Sequence, residues 1–210
     1  MTNRASPVDV YQLRVVLRGI SPLIWRRLLL RSDATLADLH EVLQTAFGWE
    51  DYHLHRFAIR GKEYGLFRSG GLCFSNDARN VRLSDVGFRR HEKFIYEYDF
   101  GDLWIHDARV EAILPFDAKK HYPCCTGGKR AGPPEDCGGP MAYMEQLVDY
   151  RYIAAGGDLE EFCDYEDEEL EYLKGYDPER FDRRQLNNAL RRLARAHPEG
   201  SDEIQDPVAQ

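Results

Sequence analysis

Apolar and polar side chains alternate at the start of the chain. Tyr11, Leu13, Val15 and Leu17 interleave with Gln12, Arg14 and Val16, the period of a strand with one buried face. Gly19-Ile20-Ser21-Pro22 supplies turn chemistry, and residues 23–30 resume as a second strand rich in large apolar groups. The two are expected to pair as a hairpin, with Arg26 and Arg27 on opposite faces. The period then changes: Leu36, Leu39, Leu43, Ala46 and Phe47 recur at helical spacing. Thr35 with Asp38 three residues on has the form of a capping box, and Gly48 is the natural stop.

Residues 53–64 read as a second hairpin that turns at Arg60-Gly61-Lys62, with His55, Phe57 and Ile59 on one face. A third hairpin spans residues 93–114; its arms are rich in aromatic and β-branched residues and its turn is Asp99-Phe100-Gly101-Asp102. Residues 115–140 carry so many Gly and Pro that they read as one long loop, far beyond the roughly 4 to 6 residues of an ordinary connection. Gly138-Gly139-Pro140 can open a helix with Met144, Leu147, Val148 and Tyr152 inward. An acidic helix is expected over residues 158–173, and a last one over residues 183–196 with Leu186, Ala189, Leu190 and Leu193 as its stripe. Strands first and helices last imply an α+β fold with a largely antiparallel sheet, as one domain over residues 8–197 followed by a polar tail at 198–210.

Composition narrows the class. In 210 residues, 43% hydrophobic content with 12% aromatics provides for a sizeable core. No stretch approaches the roughly 20 apolar residues that span a bilayer, and the opening residues lack the apolar run of a secretory signal. Five cysteines, two of them isolated at Cys73 and Cys163, do not form a disulfide framework, so a reducing cytoplasm is expected and no membrane partner. A net charge of −8 argues against a general nucleic-acid coat. The charge is uneven: residues 158–171 hold nine acidic groups and no basic one, and the next segment carries Arg180, Arg183, Arg184, Arg191, Arg192 and Arg195. Two solvated helices that attract one another account for this.

Four segments carry a resemblance: Ile24-Trp25-Arg26-Arg27; Gly48-Trp49 followed by His53-Leu54-His55-Arg56-Phe57; Tyr98-Asp99-Phe100-Gly101-Asp102 with Trp104 and His106; and Pro133-Pro134-Glu135-Asp136-Cys137-Gly138-Gly139-Pro140. Together the chain resembles the plasmid pRiA4b ORF-3-like family. Some members of that family bear labels as mobile-element passengers or as resolvase-like, but a nucleophilic serine set among arginines, which recombinase chemistry needs, is not found here. Where the family often has a cysteine shortly before the last of these segments, this chain has Gly132.

Three constellations could carry chemistry. Cys124, Cys125 and Cys137 with His121 offer thiolates and an imidazole on a flexible tether, which suits zinc, with His106 as a further ligand; loop cysteines without a metal are the ordinary alternative. Asp99, Asp102 and His106 could form an acid-base or hard-ion site, or the aspartates could simply form the turn. His53 and His55 could bind a metal as a pair, or pack beside Trp49 and Phe57. Cys137 precedes a possible helix N-terminus, a setting that lowers a thiol pKa. If function is concentrated anywhere, it is expected where Asp99, Asp102 and His106 approach Cys125, Glu135, Asp136 and Cys137.

No catalytic set is complete, so the leading expectation is a non-enzymatic binding or adaptor domain that uses Trp25, Arg26, Arg27 and Trp104 toward a protein partner, with no cofactor beyond a possible zinc. A metal- or thiol-dependent enzyme is the rival. Nucleic-acid binding through the arginine-rich last helix is the third reading, opposed by its acidic neighbour.

Overall fold

The alternating segment at the start of the chain becomes a central strand. In a computed structural model that describes residues 8–65, 74, 76–157 and 174–196, β1 (Asp9–Leu17) lies between β2 (Trp25–Arg31) and β7 (Trp104–Pro115). The sheet continues through β3 (His55–Ile59), β4 (Lys62–Gly65), β5 (Asn76–Asp77), β6 (Lys93–Tyr98) and β8 (Cys124–Lys129) in the order β5-β4-β3-β6-β7-β1-β2-β8. Every pairing is antiparallel except β4 with β5. Four helices accompany it among the described residues: α1 (Leu36–Phe47), α2 (Leu83–Val86), α3 (Gly139–Ala154) and α4 (Arg183–Ala196). The fold is α+β.

All three predicted hairpins form. Val10 faces Arg31 and Val16 faces Trp25 in the first, so Arg26 turns into the core at 3% exposure while Arg27 reaches Glu111 on β7. The capping box at Thr35 is complete, because its hydroxyl accepts from the Asp38 amide and the Asp38 carboxylate accepts from the Thr35 amide. Gly48, at φ 84°, ends the helix in the left-handed region that glycine enters at no cost. The buried face of α1 joins Leu13, Leu28, Phe57 and Tyr96 in one core.

Two expectations are corrected. Residues 115–140 are not one loop, since residues 124–129 pair with the outer edge of β2. Gly127 and Gly128 hid that strand, yet they belong there for a packing reason. A side chain at Gly127 would crowd the Trp25 ring, and one at Gly128 would lie 2.5 Å from the Phe181 ring. The free side of β8 is closed by Asn187 of α4, which both accepts from the Cys125 amide and donates to the Cys125 carbonyl. That side-chain bracket satisfies an edge without a further strand. The inner face of α3 is also shifted: Tyr143, Leu147, Tyr150 and Ile153 are buried, whereas Val148 is 69% exposed and Tyr152 39%. Leu147 belongs to both stripes, and Tyr150 against Tyr176 decides which one faces inward.

Helix α4 packs through Leu186 and Leu190, with Ala189 and Leu193 half-buried, as its spacing predicts. Leu190 is fully enclosed. Leu190→Ala is therefore expected to cost roughly 2 to 5 kcal/mol in chemical denaturation; a change within about 0.5 kcal/mol would place α4 outside the core. The acidic helix expected over residues 158–173, its pairing with α4, and the polar tail lie outside the described residues.

Candidate functional site

At one end of the sheet, the turn from β6 to β7 meets the segment between β8 and α3. Four features fasten that segment. Gly132 lets its backbone lie against the end of α1, where an added Cβ would stand 1.9 Å from the Phe47 carbonyl oxygen; a cysteine at this position would not fit. The Trp49 indole donates to the Pro133 carbonyl at 2.9 Å. Glu135 accepts twice, from the Glu50 amide at 2.7 Å and from the Tyr98 hydroxyl at 2.5 Å. Asp102 accepts from the Gly138 amide at 3.1 Å. Glu135 and Asp102 thus anchor the segment, and such bonds offset the ordering entropy of a stretch with little to bury.

The anchoring delivers Asp136 to His53. The His53 Nε2 lies 2.9 Å from Asp136 Oδ1 and 3.7 Å from Asp99 Oδ2. This nitrogen is buried and makes no hydrogen bond, because neither carboxylate oxygen lies where an N–H could donate to it. Asp99 is held independently: its Oδ1 accepts from the Gly101 amide at 2.9 Å, the turn role that aspartate commonly takes, which leaves Oδ2 toward His53. Asp99 and Asp136 both occupy the left-handed region, at φ 55° and 56°. His53, Asp99 and Asp136 therefore place one nitrogen and two oxygens around a common point, with all three atoms within 4.8 Å of one another.

A second group, His40, Asp51 and His55, is as compact but differently built. Asp51 N–H donates to Gln44 Oε1, so the Gln44 amide group donates to the Tyr96 hydroxyl, at 2.9 Å. Tyr96 is fully buried and its pKa is raised well above the ordinary value by that burial, so it keeps its proton and donates to His40 Nδ1 at 2.8 Å. The remaining nitrogen, Nε2, then carries the hydrogen that points to Asp51 Oδ1 at 2.9 Å. Both His40 nitrogens are thereby committed. The His40 and His55 rings also stack face to face, 3.4 Å apart and 10° from parallel. An ion bound by imidazole lies near the ring plane, and two parallel planes at that separation share no such point. This group is a relay of hydrogen bonds, not a second ligand set.

The expected meeting place is partly built. Asp99, Asp102, Glu135 and Asp136 converge, and Cys137 joins them closely enough for Asp102 and Asp136 to act on its thiol. Two expected members are elsewhere. His106 is wholly buried on β7, edge-on to Phe47 and Trp49, with Nδ1 against the Trp104 carbonyl; burial lowers its pKa to about 3. Cys125 sits on β8 with its thiol on the Gly127 carbonyl. Among the described residues no cysteine enters a group with metal-ligand spacing, so His106, Cys125 and Cys137 do not form one. The thiol expected to be activated is the reverse: burial, aided by Asp102, pushes Cys137 up to about 12. Burial also raises Cys124 and Cys125. Trp104 and Arg26, expected at an interface, are core residues.

His40 and Asp51 were not among the residues expected from the sequence, and His53, expected to pair with His55, meets Asp99 and Asp136 instead. The signal was the cluster Asp51-Tyr52-His53-Leu54-His55 directly after a helix stop.

Comparisons with known proteins agree with the architecture. The profile of the plasmid pRiA4b ORF-3-like protein family matches residues 9–185. "Uncharacterized protein y4hQ" of Sinorhizobium fredii is 37% identical over 138 residues, which is 65% of this chain and 71% of that protein. The crystal structure of MM3350 from Methanosarcina mazei Go1, a protein of unknown function, superposes with a TM-score of 0.70 at 34% identity, over 86% of this chain and 98% of that one.

Proposed function

The chain belongs to the plasmid pRiA4b ORF-3-like family, and from the geometry at its sheet end we propose that it is a divalent-metal-binding protein whose ion is held by His53, Asp99 and Asp136. One observation carries the reading: a buried imidazole nitrogen has two carboxylate oxygens at 2.9 and 3.7 Å and hydrogen-bonds to neither. Ligand bonds of about 2.1 Å at angles of about 90 to 120° separate neighbouring ligand atoms by about 3.0 to 3.6 Å, close to these two distances. In a hydrogen-bonded pair the oxygen would lie on the N–H axis; in a ligand set that axis belongs to the ion. One imidazole with two carboxylates suits manganese, ferrous iron or zinc better than a soft ion such as copper(I), which selects thiolates. Three protein ligands leave positions open, and Asp136, with its side chain 67% exposed, faces solvent. A bound ion could therefore present a water or an anionic ligand there, the arrangement that metal-assisted hydrolysis uses.

Titration of chelator-treated protein with Mn²⁺ or Zn²⁺, followed by calorimetry, tests the reading. One saturable site per chain is expected, together with a melting temperature that rises with metal concentration, since a ligand bound only by the folded state stabilises it. Absence of both effects would remove the proposal.

A role as a protein-binding module draws on a separate observation. Met141 and Val148, seven residues apart on α3, are 78% and 69% exposed, a spacing that puts two apolar side chains on one outer face. No helix among the described residues is long and apolar enough to cross a membrane.

A further inference from the structure

Arg26 is a cation in the core. It is 3% exposed, its Nε donates to the Ala46 carbonyl at 2.8 Å, and its Nη1 donates to the carbonyls of Trp25 and Lys129 at 2.9 and 3.1 Å. The rings of Phe47 and Phe181 lie at 5.1 and 4.6 Å from the guanidinium carbon. These contacts satisfy N–H groups and shield the charge, but they bring no negative charge to it. No carboxylate pairs with Arg26 among the described residues, whereas buried charges are ordinarily paired. Burial lowers its pKa to about 10, so it remains charged at neutral pH.

This guanidinium lines a cavity of about 370 Å³ between α1 and the start of α4, at the low end of the range for small-molecule sites. Two more arginines, Arg180 and Arg192, line it, and neither has a carboxylate partner among the described residues. Two carboxylates line it as well, Asp177 accepting from the Glu179 amide and Asp182 from the Gln185 amide, each at 2.9 Å. Three cations thus stand against two anions, and the cavity keeps an excess of positive charge. Tyr176 and Phe181 supply aromatic walls.

We propose that this cavity is a binding site for a small organic phosphate, whose phosphoryl group is held by Arg26, Arg180 and Arg192 and whose organic part lies along Tyr176 and Phe181. Arg180 and Arg192 present N–H donors in planar forks, and Arg26, whose Nε and Nη1 are taken by carbonyls, adds its charge and its Nη2; together they match a doubly charged oxyanion. The room beyond a bare phosphate, and its aromatic walls, favour a ligand with a flat apolar part. This site is separate from the His53 centre and does not depend on it.

Titration of the full chain with inorganic phosphate and with phenyl phosphate tests the proposal. A chelator is kept present, so that an ion at His53 cannot supply the anion site. Phenyl phosphate is expected to bind with one-to-one stoichiometry and more tightly than inorganic phosphate. Arg180→Gln with Arg192→Gln should weaken it at least about tenfold, the effect of one lost charge-assisted contact, and His53→Ala should leave it unchanged. These surface substitutions serve because Arg26 variants risk unfolding. Failure of phenyl phosphate to saturate the protein, or equal binding by the double variant, would overturn the assignment.

Discussion

Asp99→Asn is expected to weaken divalent-metal binding by more than about 100-fold while leaving the fold intact. Even outer-shell partners of a metal ligand are worth about 10- to 100-fold in affinity, and this substitution removes a charged ligand itself. The design is selective. The amide oxygen of asparagine can still accept from the Gly101 amide at the position Oδ1 now holds, so the turn survives and only the negative charge toward His53 is lost. His53→Ala should match or exceed this loss, and Asp136→Asn should also weaken the site, with the least structural cost because its side chain is exposed. Cys125→Ser and Cys137→Ser should bind metal as the parent does. Calorimetric titration of the five variants checks the set; metal affinity lost with the cysteines but kept in Asp99→Asn would move the centre to the thiols.

Acid sensitivity centred on His106 should be the largest effect outside the site. Burial against Phe47, Trp49 and Tyr96 disfavours the charged imidazolium, so the folded-state pKa falls from the ordinary 6.5 to about 3. Between those two values the unfolded chain takes up a proton that the folded chain refuses. The contribution is therefore fully present above about pH 6.5 and is lost as pH falls toward 3, at about 1.4 kcal/mol per pH unit for one such group. His106→Gln keeps a donor for the Trp104 carbonyl but cannot titrate. It is expected to lower stability at neutral pH through imperfect packing, and to give a shallower decline from pH 6.5 to 4.5 in urea denaturation. Parallel profiles for parent and variant would show that His106 is charged or exposed in the folded chain.

Much of the scaffold was legible because local signals and burial agree there. Strand alternation at Tyr11 to Leu17, the Thr35–Asp38 box and the Gly48 stop each report a local backbone state that the core then rewards. The strand at residues 124–129 was not, because its glycines are chosen by rings from Trp25 and Phe181, which lie far away in sequence. The candidate site divides in the same way. The meeting of Glu135 and Asp136 with the turn that carries Asp99 and Asp102 was legible because polar residues on a costly Gly- and Pro-rich stretch must be anchored to something. His106 was misplaced since two-residue alternation from Trp104 puts both on one face without saying that this face is the core. His53 was misassigned because it lies just before β3, where strand alternation with His55 does not apply. Its partners arrive from two other parts of the chain, and no local pattern reports a meeting of that kind.

Anomalous X-ray diffraction from crystals grown with Mn²⁺ or Zn²⁺, recorded on both sides of the metal absorption edge, tests the central claim most directly. The account predicts one strong peak about 2.0 to 2.4 Å from His53 Nε2 and from carboxylate oxygens of Asp99 and Asp136. A peak at Cys124, Cys125 or Cys137, or a His53 imidazole hydrogen-bonded in line to Asp136 with no peak beside it at saturating metal, would contradict it.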